Sequence, residues 1–257
     1  MSVLAEAGVC SHCGNVIKAI VLPSGKKIPL ACVCQRKKRQ QQEQIRKAQE
    51  TAAATRRAEK EFLEQAGERY RDKTFENFRR DKEKKDENHW RLMRGMATRF
   101  EDFLQTGKGA LILGSYGCGK THLEVALGRE LIKQGYSVKM YGASSLYDRY
   151  MSAFSWRLDY SPEDVIKEAC DCDLLILDDV GVNTLATDKD NFAKFAYSLI
   201  NHRYNQKKPV LMSSNLSAKD LKDALSLRVY DRILAMAFLV VNKCPSRRPA
   251  EGRQAGE

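Results

Sequence analysis

The chain has 257 residues, enough for one sizeable α/β core and a small accessory module. Its net charge of +11 points to nucleic acid or another acidic surface as partner. No apolar stretch near the start resembles a secretory signal, and the longest apolar run, Ile233 to Val241, falls short of the roughly 20 residues that cross a bilayer; the expectation is a cytoplasmic protein without a membrane span, whose eight cysteines are not a disulfide framework.

Residues 1–35 hold the pattern Cys10-x₂-Cys13-x₁₈-Cys32-x-Cys34. Pro23-Ser24-Gly25 reads as a turn between the apolar runs Val16–Leu22 and Ile28–Val33, which predicts a β-hairpin with a cysteine pair near each end. Four thiolates suit Zn²⁺, and a module this small needs such a staple in place of a core. The single residue between Cys32 and Cys34 departs from the commoner spacing of two, and His12 offers a substitute ligand. The competing reading is a frayed arm with free cysteines.

Residues 36–66 are rich in Gln, Glu, Lys, Arg and Ala, with neither Pro nor Gly before Gly67. They predict a mostly exposed connecting helix, without the sustained heptads of a coiled coil. Residues 36–85 hold seventeen Lys/Arg against ten Asp/Glu, so this fifth of the chain carries +7 of the +11.

From Gly67 onward the pattern is globular. A helix is expected over 86–106, a buried strand at Gly109–Leu113, a helix at His122–Gln134 and a strand at Ser137–Tyr141. Helices near Ala143–Phe154 and Pro162–Ala169 precede a strand at Leu174–Leu177; a helix at Asn191–Asn205 precedes a strand at Val210–Ser213. Alternating strands and helices imply a parallel sheet covered on both faces. The organisation expected is 1–35, a zinc-binding module; 36–66, a basic helical linker; and 67–257, the α/β domain, whose tail from Pro249 to Glu257 is expected to be disordered.

Between the first strand and its helix stand Gly114, Ser115, Tyr116, Gly117, Cys118, Gly119, Lys120 and Thr121, a fit to G-x-x-x-x-G-K-[ST]. The glycines let backbone N–H groups face phosphates, the helix N-terminus adds its dipole, Lys120 neutralises β- and γ-phosphates, and Thr121 offers a hydroxyl to Mg²⁺. His122 is counted with this ATP-binding set. Leu174–Leu177 ends in Asp178 and Asp179: the first is assigned to Mg²⁺, mostly through water, and the second to orienting and deprotonating the attacking water. Asn215, after the strand at 210–213, is a candidate for contacting that water or the γ-phosphate; alone it reads as a turn residue. Cys118 inside the loop reads as incidental; the competing reading is an oxidisable thiol whose pKa the helix N-terminus lowers.

These residues, with Gly67 to Phe78, Leu-Asp-Asp-Val-Gly at 177–181, Ser-Ser-Asn at 213–215 and Leu-Arg-Val-Tyr-Asp-Arg-Ile at 227–233, resemble bacterial replicative helicase loaders of the DnaC and DnaI type. The related IstB transposition helpers share part of the pattern. The resemblance covers roughly residues 67–248 and implies an AAA+ P-loop ATPase. It implies that Arg232, with Arg228 in support, is the finger that reaches a neighbouring subunit's ATP; the competing reading is two surface arginines. It implies a second sensor at Arg247, with Arg248 one residue out of register, and single-stranded DNA contacts along Tyr141–Phe154 and at Lys189 and Phe192, the latter equally readable as core. Asp179 stands where many AAA+ proteins have Glu, which implies modest turnover. A metal-binding N-terminal arm resembles DnaI-type loaders more than IstB proteins, and implies contact with a DnaB-type replicative helicase. The rival readings are an IstB-like ATPase acting on duplex DNA and a non-hydrolysing adaptor.

Overall fold

In the computed structural model, residues 3–155, 159–181 and 189–247 are described. They divide into two compact units, 1–56 and 57–257. Arg248 and the tail at 249–257 lie outside the described residues.

The first unit opens with an antiparallel sheet, β1 (Val3–Val9), β2 (Val16–Val21) and β3 (Lys27–Pro29), in that order. The expected hairpin is β2–β3. β1 is an addition: its Ala- and Gly-containing sequence gives little strand signal, and its pairing with β2 is irregular between Glu6 and Gly8, where Gly8 takes φ 134°. β3 is shorter than the apolar run predicts. Leu30 N–H still donates to the Lys18 carbonyl (2.7 Å), after which the chain leaves the ladder and α1 (Val33–Ala66) begins.

α1 is studded with exposed i,i+4 pairs such as Lys47–Glu43 and Arg57–Glu61, each worth a few tenths of a kcal/mol. The boundary between the units falls inside this helix, and its last turns belong to the second unit. Phe62 is buried there against α4 (Lys120–Lys133); a Cβ on Gly128 of α4 would lie 2.2 Å from the Phe62 ring. Glu59 pairs with Arg129 at 2.8 Å, and Gln65 accepts from Met140 N–H.

The second unit is a five-stranded parallel sheet in the order β5-β6-β7-β4-β8, with β4 Gly109–Gly114, β5 Val138–Gly142, β6 Leu174–Asp178, β7 Val210–Ser214 and β8 Ala237–Asn242. Period-two alternation splits the apolar strands between two layers. Ala110, Ile112, Leu174 and Ile176 face one, with Leu123 and Leu127 of α4; Leu111, Leu113, Leu175 and Leu177 face the other. The covering helices are α2 (Glu87–Thr98), α3 (Phe100–Thr106), α4, α5 (Ala143–Ser152), α6 (Pro162–Cys170), α7 (Lys189–Asn205), α8 (Ala218–Leu225) and α9 (Leu227–Met236). The helix expected over 86–106 is broken at Arg99, which leaves helical geometry at φ −134°, ψ 41°, and Phe100 and Phe103 are buried just beyond. Phe192 is core: it is 2% exposed and packs edge-on to Tyr147, which removes it as a single-strand stacking residue. Tyr147, within the segment expected to touch DNA, is buried as well.

Arg203 on α7 is wholly buried. Its guanidinium donates to the carbonyls of Cys170, Cys172, Asp173 and Pro209 at 2.5–2.9 Å, tying the α6–β6 turn to the start of β7. Four carbonyl dipoles stabilise the charge, with burial lowering the group's pKa from its ordinary value. Arg203→Met removes these donors while filling the space, and we expect a stability loss of about 3 kcal/mol from the orphaned carbonyls. A urea midpoint unchanged from the parent's would refute that expectation.

Candidate nucleotide site and cysteine cluster

β4 delivers the loop 115–119 to the N-terminus of α4. Gly117 and Gly119 take φ 75° and 100°, conformations closed to most side chains, and a Cβ on Gly119 would strike the Phe78 ring at 2.8 Å. The nearly buried Lys120 donates from Nζ to the loop's own carbonyls, Gly114 (2.8 Å) and Ser115 (3.2 Å). Cys118 is fully buried, and burial pushes its thiol pKa up, which opposes the rival reading of an oxidisable thiol.

Thr121 Oγ1 donates to Asp178 Oδ2 at 2.8 Å. The other Asp178 oxygen accepts from Ser213 Oγ at 2.6 Å. Three elements thus meet on one carboxylate: α4, the end of β6 and the end of β7. Asp179 follows with φ 54° and lines the same cleft as Lys120 and Thr121. Behind them, Glu124 is completely buried with no hydrogen-bond partner for either oxygen; burial, then the charge of Asp178, pushes its carboxyl well above the usual range. It stands one turn along α4 from Thr121.

The cleft, about 490 Å³, is closed on its other side by residues 69–79, including Tyr70, Asn77 and Phe78, and by Arg247. Asn77 folds this strap on itself: Oδ1 accepts from Thr74 N–H and Nδ2 donates to the Asp72 carbonyl. His122 is a tether to the strap, with Nε2 2.8 Å from the Thr74 carbonyl and its ring edge-on to Phe78. Arg247 lies over Phe78 at 4.4 Å and bonds Asp86 at 2.6 Å.

The sequence profile of the family described as IstB-like ATP binding protein matches residues 35–255. The chain belongs to that family. Among curated relatives, this IstB-like chain is 28% identical over 134 residues (52% of this chain, 53% of the relative) to a protein named replicative helicase loader DnaC from Buchnera aphidicola, strain APS. It is 26% identical over 167 residues (65% of each) to the DnaC loader of strain Sg of the same species. The chain spans only between half and two thirds of these relatives' length. Among solved structures, a DnaC helicase loader has a TM-score of 0.61 at 24% identity, covering 69% of this chain and all of the other. The replication initiator DnaA bound to AMPPCP and single-stranded DNA has 0.57 at 23%, covering 70% and 51%. At these identities the likeness concerns the fold, and the fold is that of an AAA+ P-loop domain. Among the described residues, no helix is long and apolar enough to cross a membrane.

Other residues singled out in this IstB-like sequence lie apart from the cleft lining. Arg228 and Arg232, a turn apart on α9, both lie over Tyr197 of α7 at 4.7 and 5.3 Å. Arg228 also donates to the Tyr197 hydroxyl, and Arg232 to Asn201. Neither has an ion-pair partner among the described residues. Asn215 follows β7, its Nδ2 buried without a partner. Lys189 is exposed at the start of α7.

Cys10, Cys13, Cys32 and Cys34 all precede the family match, which begins at residue 35. Their four Sγ atoms all lie within 4.8 Å of one another, with Cys10–Cys34 at 3.6 Å and Cys13–Cys32 at 3.4 Å. A zinc tetrahedron with bonds of about 2.3 Å has edges of about 3.8 Å, so this donor set fits the ion. The exposed His12 is not in the group; its backbone N–H is the first cause lowering the Cys10 thiol to about 6.

Sequence reasoning missed Ser213, Glu124, Asp86 and His89. Ser213 had a signal, since it stands in the quoted Ser-Ser-Asn; the other three depend on strand order and packing that no local pattern carries. With a raised pKa and no exposure, Cys118 should resist maleimide at pH 7.5 while the protein is folded and react fully in urea. Peptide mapping by mass spectrometry reads this directly, and rapid native labelling at Cys118 would contradict it.

Proposed function

We propose that this chain is an ATP-dependent loader of a replicative helicase, hydrolysing ATP slowly and assembling with copies of itself on single-stranded DNA. The observation that carries the reading is the convergence of Lys120, Thr121, Asp178 and Ser213 at the end of the sheet, with Asp179 in the same cleft. Lys120 is held by two loop carbonyls and is free to exchange them for β- and γ-phosphate oxygens. Thr121 and Asp178 would hold Mg²⁺, with Ser213 fixing the second carboxylate oxygen. Bound Mg²⁺ would supply charge neutralisation on the phosphates. Asp179 orients the attacking water, and its short side chain suits modest turnover.

The names of the DnaC relatives support the helicase-loading part of this reading. Arg228 and Arg232, stacked and without carboxylate partners among the described residues, suit a role toward a second copy's phosphates. The cysteine cluster suits a structural Zn²⁺ with no open coordination position, in an arm that grips the helicase. A second reading follows from the family itself, whose description is IstB-like: a transposition helper acting on duplex DNA.

Lys120→Ala is expected to cut ATP turnover at least about 100-fold, measured as phosphate release with and without single-stranded DNA; wild-type binding and turnover would sink the nucleotide reading. Metal analysis should find about one zinc per chain, the stoichiometry of a four-thiolate site, and Cys32→Ser with Cys34→Ser should abolish both the zinc and ATP-dependent co-purification with a DnaB-type helicase. Preference for duplex DNA with no helicase binding would transfer the assignment to the transposition reading.

A further inference from the structure

Arg247 reaches the cleft with almost every donor already engaged. Its backbone N–H donates to the Gly117 carbonyl at 2.9 Å, fastening this part of the chain to the phosphate loop. Of its guanidinium, Nη1 donates to the Arg79 carbonyl and Nη2 to Asp86 Oδ2 (2.6 Å) and Cys244 Sγ (3.4 Å). The face of the group lies on Phe78. Only Nε is buried without a partner, and it stands 3.7 Å from the point a Cβ on Gly119 would occupy. A charged N–H orphaned against a phosphate loop is costly until an anionic oxygen meets it.

Asp86 sets this orientation. It is wholly buried, immediately before α2, and its Oδ2 also accepts from Asp81 N–H at 3.1 Å, while Arg80 Nε lies 3.8 Å from Oδ1. One turn along, the buried His89 accepts from Asn242 Nδ2 at 3.0 Å, and that amide reaches the Cys118 carbonyl at 3.5 Å. The first turn of α2 therefore touches the phosphate loop's surroundings twice, once through Arg247 and once through Asn242. We propose that Asp86 is a positioning residue that aims Arg247 Nε at the terminal phosphate of bound ATP, so that ATP and ADP are told apart through the junction before α2. This rests on the nucleotide reading above. The plainer alternative is an ion pair that only stabilises the fold, and it predicts equal effects on both nucleotides.

The experiment is a double-mutant cycle on the full chain, with ATP and ADP affinities measured by displacement of a fluorescent nucleotide. Asp86→Ala and Arg247→Ala should each weaken ATP about tenfold, the size of one lost charge-assisted hydrogen bond, and ADP by less than about threefold. The double variant should be no worse than either single one. Asp86→Glu should recover part of the discrimination. Equal losses for ATP and ADP, additive effects, or no change on Asp86→Ala would each overturn the proposal. Should Asp86→Ala not fold, Asp86→Asn keeps the shape and removes the charge, and the same comparison of ATP with ADP decides. Lys120→Ala run alongside separates the two levels: loss of both nucleotides there, with no discrimination lost at Asp86, removes the positioning role and leaves the nucleotide site standing.

Discussion

The organisation of the second unit turns on one carboxylate. Asp178 accepts from Thr121 on one oxygen and from Ser213 on the other, and those three residues come from α4, β6 and β7. The strand order β6-β7-β4 makes this possible: β7 lies between the strand that carries Asp178 and the strand that feeds the phosphate loop. Parallel strands all point their C-terminal ends to the same edge, so chemistry contributed by separate segments collects there. A break in the parallel register of β6 on β7 would move Ser213 from the carboxylate, and with it the geometry on which the nucleotide reading depends.

The groups around this point are expensive to bury. Glu124 is enclosed with neither oxygen hydrogen-bonded, Asp86 is enclosed with one oxygen lacking a hydrogen bond, and His89 is held neutral, its pKa near 3 because burial and then Lys120 disfavour the cation. Burial of that kind destabilises a fold unless each group is neutral or charge-matched. His89 meets the condition by giving up charge, burial pushes the Glu124 carboxyl in the same direction, and Asp86 is charge-matched by Arg247. Arg203 meets it differently, with backbone carbonyls instead of a counter-ion, and lies far along α7 from the loop. The polar interior is thus of two kinds, one stitching turns together and one bordering the cleft.

Much of this was legible in the sequence because it is written locally. The loop 114–121, the strand ending in Asp178 and the alternation of strands and helices depend on residue type and short spacing. The four cysteines were legible for the same reason. What was not legible depends on three-dimensional neighbours. Phe192 at helical spacing admitted two readings until Tyr147 and Phe195 were seen beside it. Cys118 carried opposing effects, a helix N-terminus against burial, and only the enclosure by Gly114 and Asn242 decides for burial. β1 was missed because Ala and Gly are poor strand formers whose pairing with β2 overrides propensity. The break at Arg99 is likewise a packing decision: apolar spacing alone runs unbroken through 86–106.

The uneven charge of the chain now has a structural setting. The excess of Lys and Arg in residues 36–85 falls on α1, most of which is exposed, and on the strap that walls the cleft, where Arg69, Lys73 and Arg79 join Lys120 and Arg247. Cations gathered around a concave site raise the local concentration of anionic ligands and lose that advantage as salt rises. Arg228 and Arg232 are of another sort. Arg228 lies over Tyr197 and Arg232 over both Tyr197 and Tyr204; like charges repel, and no ion-paired carboxylate among the described residues offsets that repulsion. A phosphate brought by a second copy, or by a nucleic-acid strand, is the kind of group that relieves it. The cations around the cleft thus converge on one concave site, whereas the arginine pair stands on the α7–α9 face, apart from that lining.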